Sequence, residues 1–231
     1  MLLAATTGDA APSSTPLRNA RVAERSSPRT LDLPTASASL EPEKPSWAIS
    51  LPAIEVENHN TNARGTIRLY GNDGALDRSA LRDFMRVANS VADVPDRADG
   101  EVAEPLDRRL VQLAFRAAYH FGAKPIVIVS ATRKRAHGKH RRGEALDFQL
   151  EGVRAATLAA YLRTFPRAGV GIYTHPKTQF VHLDVRDHSY HWLDASPPGI
   201  TWREKRIPDR TQERRDASYA RMMDLPEVAT N

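Results

Sequence analysis

Two short stretches, residues 144–150 (EALDFQL) and 180–185 (FVHLDV), alternate apolar and polar residues with a period of two. Successive side chains of a strand point to opposite faces. Leu146, Phe148 and Leu150 then share one face, and Ala145, Asp147 and Gln149 the other. In the second stretch Val181, Leu183 and Val185 oppose Phe180, His182 and Asp184. Each reads as a strand with a core face and a face carrying titratable groups. If the two strands pair, an Asp and a His converge from rigid backbone. His140 lies seven residues before Asp147, across a turn that Gly143 can shape.

His140, Asp147 and His182 make a set of two imidazoles and one carboxylate. Such a set suits a catalytic zinc ion, because it leaves one coordination position open for a water whose pKa the metal lowers to about 7. A lone histidine on a strand is more often a structural residue, and spacing alone leaves that reading open. The chain has no Cys. Disulfides, thiolate metal sites and cysteine nucleophiles are therefore excluded, and any metal must be held by His and carboxylates.

The run before the first strand, residues 133–142 (RKRAHGKHRR), holds six Arg or Lys and two His. It reads as a solvated loop, as an attractor for an anionic substrate, or as a polyanion-binding patch. The formal net charge of +5 suits an anionic partner without choosing one. Nucleic acid is not the expected partner, since the run lacks interleaved aromatics and sits on no recognisable recognition helix.

Residues 1–45 are rich in Ala, Ser, Thr and Pro and sustain no period, so a disordered tether is expected there. The first residues resemble the end of a signal peptide, yet they lack a basic n-region and a full apolar stretch. A folded domain is expected over 46–200. It has two strands around a polar turn near 48–71, a helix over 77–92 capped by Asp77, and a clear helix over 106–122 ending at Gly122. An apolar strand at 125–131 and a helix stopped by Pro166 follow, with further strands at 168–174, 180–187 and 189–194. Residues 201–231 read as a charged tail with a short helix at 211–223. No run of about 18 apolar residues exists, so no transmembrane span is expected. The order of elements is α+β rather than the alternation of a doubly wound sheet.

The pattern H-x-x-G-x-A-x-D at His140, Gly143, Ala145 and Asp147, followed by GVGIY and FVHLD, closely resembles the LAS-type zinc metallopeptidases. These include the D-Ala-D-Ala carboxypeptidases, the murein endopeptidases and the related hedgehog signalling domain. Over residues 125–192 the chain resembles the YcbK-like murein endopeptidase branch in particular. The resemblance implies a hedgehog/DD-peptidase-like domain with a mainly antiparallel sheet packed by helices. It implies Zn2+ held by His140, Asp147 and His182, with Arg133 orienting a substrate carboxylate. It also implies peptidoglycan peptides as substrate and a place in the periplasm or cell envelope. A monomer is expected.

The chain departs from the family pattern at Ala131, Thr132 and Gly138, and in the stretch VRDHSYHW after Asp184. The acidic residue that many relatives carry three positions before the last ligand His is Gln179 here. Asp184 is then the candidate general base, its alternative role being to orient His182. His188 and His191 are candidate substrate or oxyanion contacts. Gln179 also keeps open a zinc-containing, non-catalytic peptidoglycan-binding module.

Overall fold

The computed structural model describes residues 45–89, 105–133, 138–200 and 205–229. The tether expected over 1–45 lies outside the described residues, except for Pro45. One eight-stranded sheet organises the described chain. Its strands are β1 (Ile54–Asn58), β2 (Arg64–Ile67), β3 (Ile126–Ser130), β4 (Ala145–Leu150), β5 (Ala168–Tyr173), β6 (Val181–Val185), β7 (Tyr190–Asp194) and β8 (Lys205–Arg206). The helices are α1 (Ser46–Ser50), α2 (Arg78–Ala88), α3 (Arg108–His120), α4 (Ala155–Leu162) and α5 (Gln212–Ala217).

The long helices begin where side chains satisfy their free N–H groups. Asp77 accepts from the backbone N–H of Ser79 and Ala80, and Asp107 from those of Arg109 and Leu110. Gly122 follows α3 at φ 85°, a conformation that ends a helix at little cost to glycine. Phe84, Leu110, Phe115 and Leu158 place these helices on the sheet face that carries Ile126, Ile128, Leu146, Phe148, Val170 and Leu183. The period of two leaves Asp147, His182 and Asp184 on the opposite face.

The strand order is β2-β1-β3-β4-β6-β5-β7-β8. Five neighbouring pairs are antiparallel, while β1–β3 and β5–β7 are parallel. The sheet is therefore mixed, a correction to the mainly antiparallel sheet expected. The reason for the second parallel pair is local. The chain leaves β6 through a short turn, so β7 must run against β6. Because β5 also runs against β6, β7 joins the free edge of β5 in parallel.

Residues 205–229, set apart in the sequence as a charged tail, pack onto this sheet. β8 pairs with β7. Asp216 is buried, and its carboxylate accepts from the backbone N–H of Arg167 at 2.6 Å, the backbone N–H of Ser189 at 2.7 Å and the Ser189 hydroxyl at 2.6 Å. Asp224 is buried against Arg109, and the guanidinium groups of Arg109 and Arg167 both pack on the Tyr219 ring, 4.6 and 4.9 Å from its centroid. Arg167 needs this support, since it sits at φ 52°, a region costly for a residue with a Cβ.

Candidate metal centre

The pairing left conditional by the sequence is present. β4 and β6 are antiparallel neighbours with Asp147 directly opposite His182. A register shift in the β3–β4 ladder between Ile128 and Ser130 brings Ser130 opposite Asp147. Irregularities of this kind re-aim groups beside functional sites. Here the backbone just past the shift turns the Ala131 carbonyl toward His140, whose Nδ1 lies 2.8 Å from it. His140 itself comes from the turn of residues 138–143. Gly143 there has φ 68°, and any Cβ on it would collide with the Pro105 carbonyl.

Three donor atoms face one another. His140 Nε2 and His182 Nδ1 are 3.2 Å apart, His182 Nδ1 and Asp147 Oδ1 are 2.8 Å apart, and His140 Nε2 and Asp147 Oδ1 are 3.3 Å apart. A cation about 2.0–2.1 Å from each of three tetrahedral ligands sets them about 3.3–3.4 Å from one another. The triangle therefore fits a small tetrahedral cation with little movement. The tautomers fit as well. A carbonyl oxygen can only accept, so His140 donates from Nδ1 and keeps a lone pair on Nε2. His182 Nε2 lies 3.1 Å from Asp184 Oδ2 and donates to it, so Nδ1, which donates to Asp147 when no metal is present, is the nitrogen that would give up its proton to a cation. Among the described residues this is the one group of three or more His, Cys, Asp or Glu side chains able to hold a metal ion.

The electrostatics favour a cation. Burial of Asp147 opposes its ionisation, but hydrogen bonds to His140 and His182 outweigh it and hold the carboxyl well below the usual carboxylate range. Burial works against a charged His182 too, yet its bonds to Asp147 and Asp184 push it up to about 9. The pair thus stabilises positive charge at this point.

The other candidates separate. Arg133 joins the centre through Asp147, bonding its Oδ2, while its Nε meets the Ser130 hydroxyl at 2.5 Å. Half of its side chain remains exposed. Asp184 adjoins His182 but is 0% exposed, with Arg186 gripping both of its oxygens. His191 is misplaced in the sequence reading. It pairs with Val170 of β5, so it lies on the core face, away from the triad. It is fully buried, its ring nitrogens make no hydrogen bond among the described residues, Asp209 Oδ2 standing 3.7 Å from Nε2, and burial with nearby Arg163 and Arg215 pushes it down to about 4. His188 is exposed in the β6–β7 turn and lines a groove with Asp107, Lys139, Arg186 and Tyr219 rather than the triad.

Much of the basic run is neutralised. Lys139 bonds Glu144 and the Val185 carbonyl, and Arg142 bonds Glu144, so Glu144 does not point freely into solvent. Residues 134–137 of the run lie outside the described residues.

Two glycines of GVGIY make room for the centre, a role that sequence reading missed. In register, Gly171 lies between His182 and Trp192, and Gly169 between Asp184 and Tyr190. A Cβ on Gly171 would lie 2.7 Å from Trp192 Nε1 and closer still to the ring carbons. The indole leans over Gly171 with its centroid 4.9 Å from that of His182. Gly171→Ala is expected to destabilise the fold by about 1–3 kcal/mol through overpacking. That lowers the melting temperature by about 2–12 °C, readable by calorimetry.

A family model described as peptidoglycan L,D-endopeptidase MepK (Peptidase_M15_2) matches residues 52–192, more than half of the chain. No curated protein and no solved structure matches the chain. The matched span takes in the triad, Asp184, both glycines and Trp192. On this match the chain belongs to the Peptidase_M15_2 family of peptidoglycan endopeptidases.

Proposed function

We propose that the chain is a zinc-dependent peptidase that cuts peptide bonds of peptidoglycan at the bacterial cell envelope, with His140, Asp147 and His182 as the zinc ligands. The observation that carries this reading is the triangle of donor atoms with edges of 2.8–3.3 Å, whose two imidazoles are each fixed by a second partner. Zinc, when bound, supplies a Lewis acid and a water of lowered pKa. The chain's own residues prepare the site. The Ala131 carbonyl turns Nε2 of His140 inward, and Asp184 does the same for Nδ1 of His182. Arg133 holds the second oxygen of Asp147, and its exposed edge is free to meet a substrate carboxylate.

Asp184 is better suited to positioning His182 than to taking a proton from substrate water, because it is fully buried and both oxygens are engaged. Asp184→Asn is therefore expected to weaken zinc binding about 10–100-fold, the usual cost of losing the outer partner of a metal-bound histidine. Competition with a chelating dye measures this. Unchanged affinity together with a large loss of rate would return Asp184 to the role of base.

One observation favours a second reading, a zinc-containing peptidoglycan-binding module. Gln179 is exposed and carries no charge, and Asp184 has no open face. Incubating the zinc-loaded protein with sacculi and following released muropeptides by mass spectrometry separates the two. New peptide termini support the peptidase; binding to sacculi without new termini supports the module.

A further inference from the structure

Arg186 stands two residues beyond Asp184, just outside β6. Its Nε lies 2.6 Å from Asp184 Oδ1, and its terminal nitrogen bonds Oδ2 of the same carboxylate. The guanidinium lies over Gly169. A Cβ at that glycine would come within 2.5–2.6 Å of two guanidinium nitrogens and would meet Asp184 Oδ2 as well. The Tyr190 ring packs on the guanidinium at 5.5 Å, and the Trp192 ring at 6.0 Å. The Arg186 backbone N–H is anchored on the Arg167 carbonyl. Arg186 thus has a cradle below it, aromatic walls beside it and a fixed backbone.

We infer that Arg186 is a positioning residue for the metal centre, acting through Asp184 to select Nδ1 of His182 as the ligand atom. The inference rests on the zinc reading above. Asp184 is 0% exposed and sits two bonds of rotation from its backbone, so its carboxylate plane is set by what grips it. The planar fork of Arg186 spans both oxygens and fixes that plane, which a single-point cation cannot do. With the plane fixed, Oδ2 lies 3.1 Å from His182 Nε2 and receives its proton. The imidazole cannot then turn or change tautomer without leaving a buried donor or acceptor unpaired. The order Arg186, Asp184, His182 carries orientation from the strand end to the metal.

The test uses the full chain with zinc and, separately, with cobalt(II), whose visible absorption reports ligand geometry. Arg186→Gln is expected to bind zinc at least tenfold more weakly than the parent and to show an altered cobalt spectrum at saturation. Arg186→Lys, which keeps the charge but not the fork, is expected to fall between the two, and it stands in for the glutamine variant if that one does not fold. Parent-like affinity and spectrum in these variants overturn the inference. Failure of the zinc reading looks different: the parent and His140→Ala would then bind zinc equally weakly, whatever residue 186 is.

Discussion

Replacing His140, Asp147 or His182 by Ala is expected to lower zinc affinity by well over about 100-fold and to abolish hydrolysis of muropeptides. Loss of an outer partner costs about 10–100-fold in metal affinity, and these substitutions remove a ligand itself. The three variants differ in risk to the fold. His182→Ala removes the imidazole that Asp147 and Asp184 share; Arg133 and His140 still pair with Asp147 and Arg186 with Asp184, but the substitution disturbs two buried carboxylates as well as the metal site. His140 lies within a turn, with 11% of its side chain exposed, so His140→Ala is the clean variant. Its circular dichroism should match the parent while its zinc content falls. Full zinc retention in all three variants would sink the site.

Asp216→Ala carries the largest expected cost to stability. Its carboxylate satisfies the N–H groups of Arg167 and Ser189 and the Ser189 hydroxyl. Each buried donor left without a partner costs about 1–3 kcal/mol, so a total of at least about 3 kcal/mol follows. At about 2–4 °C per kcal/mol for a chain of this size, the melting temperature drops by at least about 6–12 °C. The pH dependence has a definite sign. Burial opposes ionisation of Asp216, but the hydrogen bonds outweigh it and lower its pKa below the ordinary value. Its contribution is then present above the unfolded carboxyl pKa of about 3.9 and lost as pH falls through the lower folded value. The difference between parent and variant should narrow on acidification. A melting temperature within about 2 °C of the parent at pH 7 would show that the packed C-terminal segment contributes little.

Alternation in EALDFQL and FVHLDV was enough to put Asp147 and His182 on the non-core faces of two strands, and the H-x-x-G-x-A-x-D wording brought in His140. The helix caps at Asp77 and Asp107 are local chemistry, and Asp77 was readable as such. What stayed hidden depends on neighbours far along the chain. His191 looked like a site residue because it is polar and close to the motif. In β7 the polarity is inverted: Trp192 takes the site face over Gly171, and His191 takes the core face beside Val170. Asp184 was placed on the right face, but no period could reveal that Arg186 closes over it. The two parallel pairings follow from strand order, which local pattern does not encode. The C-terminal segment misled through its charge. It read as a charged tail, yet its Asp216 and Asp224 lie in the interior, satisfied by backbone N–H groups and by Arg109.

The latch formed by Asp216 has a consequence for synthesis. A nascent chain that has emerged only as far as Asp194 already holds every donor atom of the triad and every strand that frames it. It still lacks the carboxylate that holds Arg167 at its unfavourable φ and ties down the Ser189 turn. Those two points flank β5 and Arg186, the supports of His182. Folding of the triad face is thereby coupled to the arrival of residues more than thirty positions downstream of His182. A polypeptide stopped short of residue 216 would carry all three triad side chains on a scaffold not yet locked.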